Sequence, residues 1–246
     1  MRIHPLIFWF FLLSALACQT VYRPSVVEYN NKEIRYGGVD SGMEYMLRPY
    51  KDSLDRIMSK VLVVIDSDLE KKQPEGSLGN MMADAMMVQA EKKYGITPHL
   101  AIMNYGGIRL PVVKAGEFTL GKLYEVHPFD NRLVLMQVTG EVLLKLLNHS
   151  ASRGGWPISG ARMVIDRKTV KDLLIKGEVI RGDQLYWIAL SDYIATGGDD
   201  ALMLKGYSFK DKGYLLRDAI ADYLTSLNLQ GLPYRSPVEK RVRYAE

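Results

Sequence analysis

Cysteine is nearly absent: Cys18 is the only one in the chain, which excludes an intramolecular disulfide. Histidine is almost as scarce. The four present, His4, His99, His127 and His149, form no HxH, HxxxH or HxD pair. A two-metal hydrolytic centre takes several converging His and Asp ligands, so the sequence predicts no metal site and no catalytic residue in this chain. A G-x-S-x-G elbow, a P-loop and the glycine-rich dinucleotide fingerprint are also missing. Neither sign of charge dominates. With 32 Lys and Arg against 28 Asp and Glu, interspersed, there is no basic stripe of the kind that binds nucleic acid. No internal repeat or low-complexity tract is visible.

What is present fits one folded domain with a leader. The 246 residues are 48% hydrophobic and 24% charged, an ordinary balance for a globular chain. At the N-terminus, Arg2 and His4 precede an apolar run from Leu6 to Leu13, followed by Ser14-Ala15-Leu16-Ala17-Cys18. That run falls well short of the roughly 20 apolar residues that span a bilayer. It has the form of a secretory signal. Leu16-Ala17-Cys18 resembles a bacterial lipobox, in which cleavage before the cysteine leaves it lipid-modified. The expectation is a signal peptide over 1–17, lipidation at Cys18 and a tether over 18–40, with a folded domain from 41 to 246. This places the protein in a bacterial cell envelope, anchored to a membrane through Cys18.

Beyond the tether, apolar periodicity alternates between helix and strand. Met43, Met46, Leu47, Tyr50, Leu54, Ile57 and Met58 recur at helical spacing, and Pro49 predicts a helix that starts near Arg48 or kinks there. Val61 to Asp66 reads as a strand, and Asp68 to Gly76 as charged loop. A helix capped by Ser77 runs to Gly95. His99 to Asn104 is a short strand, Thr119 to Leu123 opens a short helix, and Arg132 to Val138 is a strand. Thr139-Gly140-Glu141 starts another helix. Ser159 to Asp166 and Leu185 to Ser191 are strands, Asp192 to Asp200 a glycine-rich loop, and Gly213 to Leu227 a final amphipathic helix. Without a strict βαβ repeat, the fold class is α+β, a single mixed-sheet domain packed with helices. His99 and His149 read as structural.

Three loops could bind a ligand. Asn104 ends a strand and turns through Gly106 and Gly107 to Arg109; glycines permit close approach, an amide can read a base edge, and a guanidinium can reach phosphate or sugar oxygens. His127-Pro128-Phe129-Asp130-Asn131 and Asp192 to Asp200 each expose an aromatic among small or polar residues. Each loop alone could equally be an ordinary turn.

Five segments occur in a fixed order: Ser77-Leu78-Gly79-Asn80 through Ala83-Asp84-Ala85-Met86, Asn104 to Arg109, Pro128 to Asn131, Ile158-Ser159-Gly160, and Tyr193 to Asp199. Together they resemble the C-terminal, substrate-binding domain of the 5'-nucleotidase and UDP-sugar hydrolase family, over about Met43 to Leu227. The resemblance implies a division of labour. A separate metallophosphoesterase domain carries the divalent metals and the chemistry, while this domain grips a nucleoside or nucleotide. Matched residue by residue, Phe129 and Tyr193 are the two jaws of an aromatic clamp, Asp199 accepts from ribose hydroxyls, Arg109 lies near ribose and phosphate, and Asn104 lies near the base. Gly107, Gly197 and Gly198 are further candidates. The family usually has Phe at the second jaw, so Tyr193 is a departure. It also often carries an Arg shortly before the Ser77 segment, where this chain offers Lys71 or Lys72; Lys72 is the candidate. His127 and Asp130 flank the clamp. The implied function is the recognition half of a nucleotidase that works with a separately encoded metallophosphoesterase. The alternatives are a stand-alone nucleoside- or nucleotide-binding lipoprotein, or a hydrolase acting alone through an unrecognised site.

Overall fold

The computed structural model describes residues 40–231 and 233–246. The expected signal peptide, Cys18 and nearly all of the tether lie outside the described residues. The chain divides between Tyr45 and Met46. In the first unit, the Asp40 carboxylate accepts from the backbone N–H groups of Gly42 and Met43, at 2.9 and 3.1 Å, and so starts a helix. Helix α1 spans Ser41–Met58 and passes through Pro49, with no buried residue. Of the two expectations, a start near Arg48 is not met: the helix begins about two turns earlier and carries Pro49 in its interior. The Asp40 cap fixes the start, ahead of the proline.

The second unit contains the remaining elements in this order: β1 (Val61–Ile65), β2 (Leu69–Glu70), α2 (Ser77–Tyr94), β3 (Leu100–Ile102), β4 (Val112–Val113), β5 (Gly116–Thr119), α3 (Leu120–Val126), β6 (Leu133–Thr139), α4 (Gly140–Ser152), β7 (Ile158–Ser159), β8 (Ala161–Asp166), β9 (Thr169–Ile175), β10 (Glu178–Val179), β11 (Leu185–Ser191), α5 (Asp192–Ala195), β12 (Phe209–Lys210), α6 (Leu216–Asn228) and β13 (Val242–Tyr244). The mixed α+β class read from the sequence is the observed one.

The main sheet has the order β12-β6-β11-β3-β7. Strand β11 runs antiparallel to β6 and parallel to β3. Its middle strands are apolar on both faces, and the period of two sorts their side chains between two cores. Leu133 and Leu135 of β6, Ala189 of β11 and Ala101 of β3 join α2 and α6 in the first core. Val134, Met136 and Val138, with Ile188, Leu190, Leu100 and Ile102, join α4 in the second. A second sheet, β10-β9-β8-β13, adds Met163, Ile165, Leu173 and Ile175 to that second core.

Local chemistry explains most boundaries. Thr119 and Thr139 accept from the N–H groups of Lys122 and Val142 and so cap α3 and α4. Gly95, at φ 68°, ends α2 in the left-handed conformation that glycine adopts without a Cβ clash. Ser77 is not the cap of α2: Gly76 holds that position, and the Ser77 hydroxyl instead accepts from Glu70 N–H at 2.9 Å. That bond tethers the helix to β2, which lies inside the stretch expected to be loop. Gly160, at φ 85°, splits the strand expected over Ser159 to Asp166 into β7 and β8.

The topology sets where a site can form. Because β3 and β11 are parallel, Ile102 and Ser191 leave the sheet at the same end. Antiparallel β6 enters there, with Leu133 opposite Ser191. Three connections, 103–111, 127–132 and 192–201, are thereby delivered to one edge, the kind of crevice at strand ends where ligands bind in mixed sheets; the last, expected to be loop throughout, opens with the single turn of α5.

Candidate functional site

At that edge lies a cavity of about 290 Å³ lined by Asn104, Gly106, Gly107, Arg109, Phe129, Asn131, Tyr193 and Asp199. Asn104, Gly107, Arg109, Phe129, Tyr193 and Asp199, picked from separate loops in the sequence, meet on this one surface. Phe129 and Tyr193 are 36% and 43% exposed, so both rings keep free face for a ligand. The Arg109 guanidinium stands 5.6 Å from the centre of the Phe129 ring, within cation–π range.

Asp199 is held from several sides. Asn104 Nδ2 donates to its Oδ2 at 2.7 Å, and the Tyr193 hydroxyl donates to its Oδ1 at 2.9 Å. His149 Nε2–H donates to the Asp199 carbonyl at 2.7 Å; a carbonyl only accepts, which fixes the tautomer. The structural role expected for His149 is therefore support of the loop that carries Asp199. Gly198 lies beneath the Tyr193 ring: a Cβ there would stand 2.6 Å from three ring carbons. Gly197 adopts φ 98° and sets up the turn. Neither glycine lines the cavity.

The Phe129 loop has its own supports. His127 is 1% exposed and its Nδ1–H donates to the Gly107 carbonyl at 2.8 Å, joining the first loop to the second. Its ring meets Phe129 edge-on at 5.5 Å. Burial holds the His127 pKa below its ordinary value; the Gly107 bond opposes it, and the nearby Arg217 charge adds a smaller lowering effect. Arg217, 5% exposed on α6, donates to the Phe129 carbonyl at 3.2 Å and to the Asp130 carboxylate at 2.7 Å. Its guanidinium also packs 3.9 Å above the Tyr124 ring. Asp130 is thereby engaged away from the cavity. Between the loops, Arg132 pairs with Asp192 at 2.9 Å and with Asp211 at 2.7 Å.

Lys72 lies on the wall of a different cavity, beside Glu75 and Arg243. It is Lys71 that reaches the back of the first loop: its Nζ donates to the Ile108 carbonyl at 2.7 Å and sits 4.1 Å over the Tyr105 ring. Burial, with Arg109 adding to it, lowers the Lys71 pKa. The sequence reading also passed over Asn131 and Arg217. Asn131 belongs to a segment already singled out. Arg217 was detectable as a lone charge on the apolar stripe Leu216, Ala219, Ile220 and Leu224, where a buried cation implies a bonded partner. Asp84 on α2 is bound by Arg241 at 2.6 and 2.9 Å and by the Ser159 hydroxyl at 2.7 Å, as a structural pair. Among the described residues no group of three or more His, Cys, Asp or Glu side chains could hold a metal ion.

Fold and cavity together describe a mixed-sheet domain with a cavity lined by residues from three connections at one sheet edge. The family model for the 5'-nucleotidase C-terminal domain matches residues 57–206, and the chain belongs to that family. It is 26% identical over 196 residues to the 5'-nucleotidase of Vibrio vulnificus, covering 75% of this chain and 34% of that protein. To the human 5'-nucleotidase it is 24% identical over 215 residues, covering 76% and 37%. Among solved structures, the 5'-nucleotidase precursor from Thermus thermophilus superposes with a TM-score of 0.73 at 26% identity, covering 84% of this chain and 44% of that one. The chain thus spans only about a third of the length of these two curated relatives.

Proposed function

We propose that the cavity binds a nucleoside or nucleotide, and that the chain is the recognition part of a phosphoester hydrolase of nucleotide catabolism. The base stacks between Phe129 and Tyr193, Asp199 accepts from the ribose hydroxyls, and Arg109 reaches sugar or phosphate oxygens. Asn104 holds the Asp199 carboxylate and brings its own amide oxygen close to the base. The observation that carries this reading is the meeting of these five side chains on one cavity of a 5'-nucleotidase C-terminal domain. The chemistry of each suits its role. An aromatic face contributes roughly 1–3 kcal/mol per stacked base, and an ionised carboxylate is a strong acceptor for hydroxyl donors.

The described residues offer no ligand set for a metal, so no hydrolytic step is assigned to them. In this proposal the divalent metals sit on a separately encoded metallophosphoesterase. The lipobox-like Leu16-Ala17-Cys18 supports an envelope location with a membrane anchor at Cys18, where an exported partner would meet the chain. Isothermal titration of the purified chain with adenosine 5'-monophosphate tests binding. Phe129→Ala and Tyr193→Ala are each expected to weaken it by about tenfold or more, the scale of 1.4 kcal/mol. Addition of a metallophosphoesterase domain and divalent metal is expected to yield phosphate release that neither protein shows alone. Release by this chain alone would overturn the recognition role, and binding that never supports hydrolysis would leave a nucleotide-capture protein.

A further inference from the structure

The loop bearing Asp199 is held in an unfavourable backbone form. Asp199 adopts φ 48° and ψ 37°, and Asp200 φ 59°, consecutive left-handed positions occupied by residues other than glycine. Such backbone persists only where its surroundings determine it. Arg153 pairs with the Asp200 carboxylate, and His149 binds the Asp199 carbonyl. Tyr193 contacts Asp199 twice. Its hydroxyl accepts from the Asp199 backbone N–H at 3.1 Å while donating to Asp199 Oδ1 at 2.9 Å, and its ring lies over Gly198. One phenol oxygen therefore fixes both the backbone and the side chain of the same residue.

The consequence concerns what Asp199 can bind. Asn104 occupies one direction at Oδ2 and Tyr193 one direction at Oδ1. Each carboxylate oxygen accepts more than one hydrogen bond, so both keep capacity for a ligand. With both oxygens tethered, the carboxylate cannot rotate freely, and its free positions form a fixed pair. A fixed pair of acceptors matches two hydroxyls on adjacent carbons and is only half used by a single hydroxyl. A Phe at position 193 would keep the stacking face and leave Oδ1 untethered.

We propose that the Tyr193 hydroxyl is a positioning group that fixes the Asp199 carboxylate for two-point capture of a vicinal diol, so that the cavity selects ribonucleotides over 2'-deoxyribonucleotides. This rests on the nucleotide-binding reading of the cavity. Pre-organisation lowers the ordering cost of binding only for the ligand that uses both acceptors.

The test is titration calorimetry of the wild-type chain and Tyr193→Phe with adenosine 5'-monophosphate and its 2'-deoxy counterpart, with circular dichroism to monitor folding. Wild type is expected to prefer the ribonucleotide by about tenfold, the 1.4 kcal/mol scale. Tyr193→Phe is expected to lose about fivefold in ribonucleotide affinity, the size of one modest hydrogen bond, with less than about twofold change for the deoxy ligand. An unchanged ratio between the two ligands, or tighter ribonucleotide binding by the variant, overturns the positioning role while leaving the nucleotide site in place. A parallel loss for both ligands also overturns it, because ring stacking or loop folding alone would produce that result. Wild-type protein that binds neither nucleotide overturns the reading of the cavity itself, and the inference with it.

Discussion

Replacing His127 separates its hydrogen bond from its packing and from its charge. The ring is 1% exposed, its Nδ1–H is the partner of the Gly107 carbonyl, and its Nε2 has no partner among the described residues. His127→Ala orphans that carbonyl, at a cost of about 1–3 kcal/mol, and removes buried ring surface worth roughly 2 kcal/mol. The total expected loss is about 3–5 kcal/mol, read as a lower urea midpoint at unchanged slope. His127→Asn places an amide N–H near the position of Nδ1 and is expected to recover about 1 kcal/mol of that loss. The same residue gives a pH dependence. Because burial lowers its folded pKa, the unfolded chain binds the proton first as pH falls below about 6.5, the ordinary histidine value. Stability is then lost on acidification, with a slope of up to about 1.4 kcal/mol per pH unit for one such group. His99, whose pKa burial also lowers, adds in the same direction, so neither variant is expected to abolish the slope. Both are expected to reduce it. Equal stabilities for Ala and Asn at position 127 would refute the hydrogen-bond account, and a wild-type slope in both variants would refute the titration account.

Other outcomes follow from the supports of the cavity. Arg217→Met keeps an unbranched apolar stem but removes the guanidinium over Tyr124 and the donors to Phe129 and Asp130; a loss of about 1.5–3 kcal/mol in chemical denaturation is expected, with weaker nucleotide binding. Gly198→Ala inserts a methyl group against the Tyr193 ring and is expected to displace it, lowering affinity in titration calorimetry by about tenfold or more with little change in far-ultraviolet circular dichroism. Asp84→Asn leaves Arg241 and the Ser159 hydroxyl without their carboxylate, and a thermal scan is expected to show a midpoint lower by several degrees, for a loss of about 2–3 kcal/mol.

The sequence disclosed the elements whose signals are local. Thr119 and Thr139 announce helix starts through their hydroxyls, and Gly95 announces a stop because only glycine takes its backbone form without strain. Strand β9 was missed because the turn that joins it to β8 has no glycine or asparagine. Arg167 and Lys168 take φ 46° and 69° there, and Lys171 and Asp172 break the apolar pattern. Strand β13 was missed because a three-residue strand is defined by its partner β8 rather than by its own composition. The cavity residues were legible because each belongs to a recognisable segment. Their connections were not: the bond from His127 to Gly107 spans 20 residues, and that from Asn104 to Asp199 spans 95. No periodicity encodes such pairs.

The clamp of Arg217 on the Phe129 loop bears on how little of this chain can be cut away. The family match ends at residue 206, and every cavity-lining side chain lies within it. A fragment trimmed to that match would still lack α6, which contributes Leu216, Ala219, Ile220 and Leu224 to the first core and Arg217 to the loop. Such a fragment would hold the whole vocabulary of the cavity without the grammar that orders it.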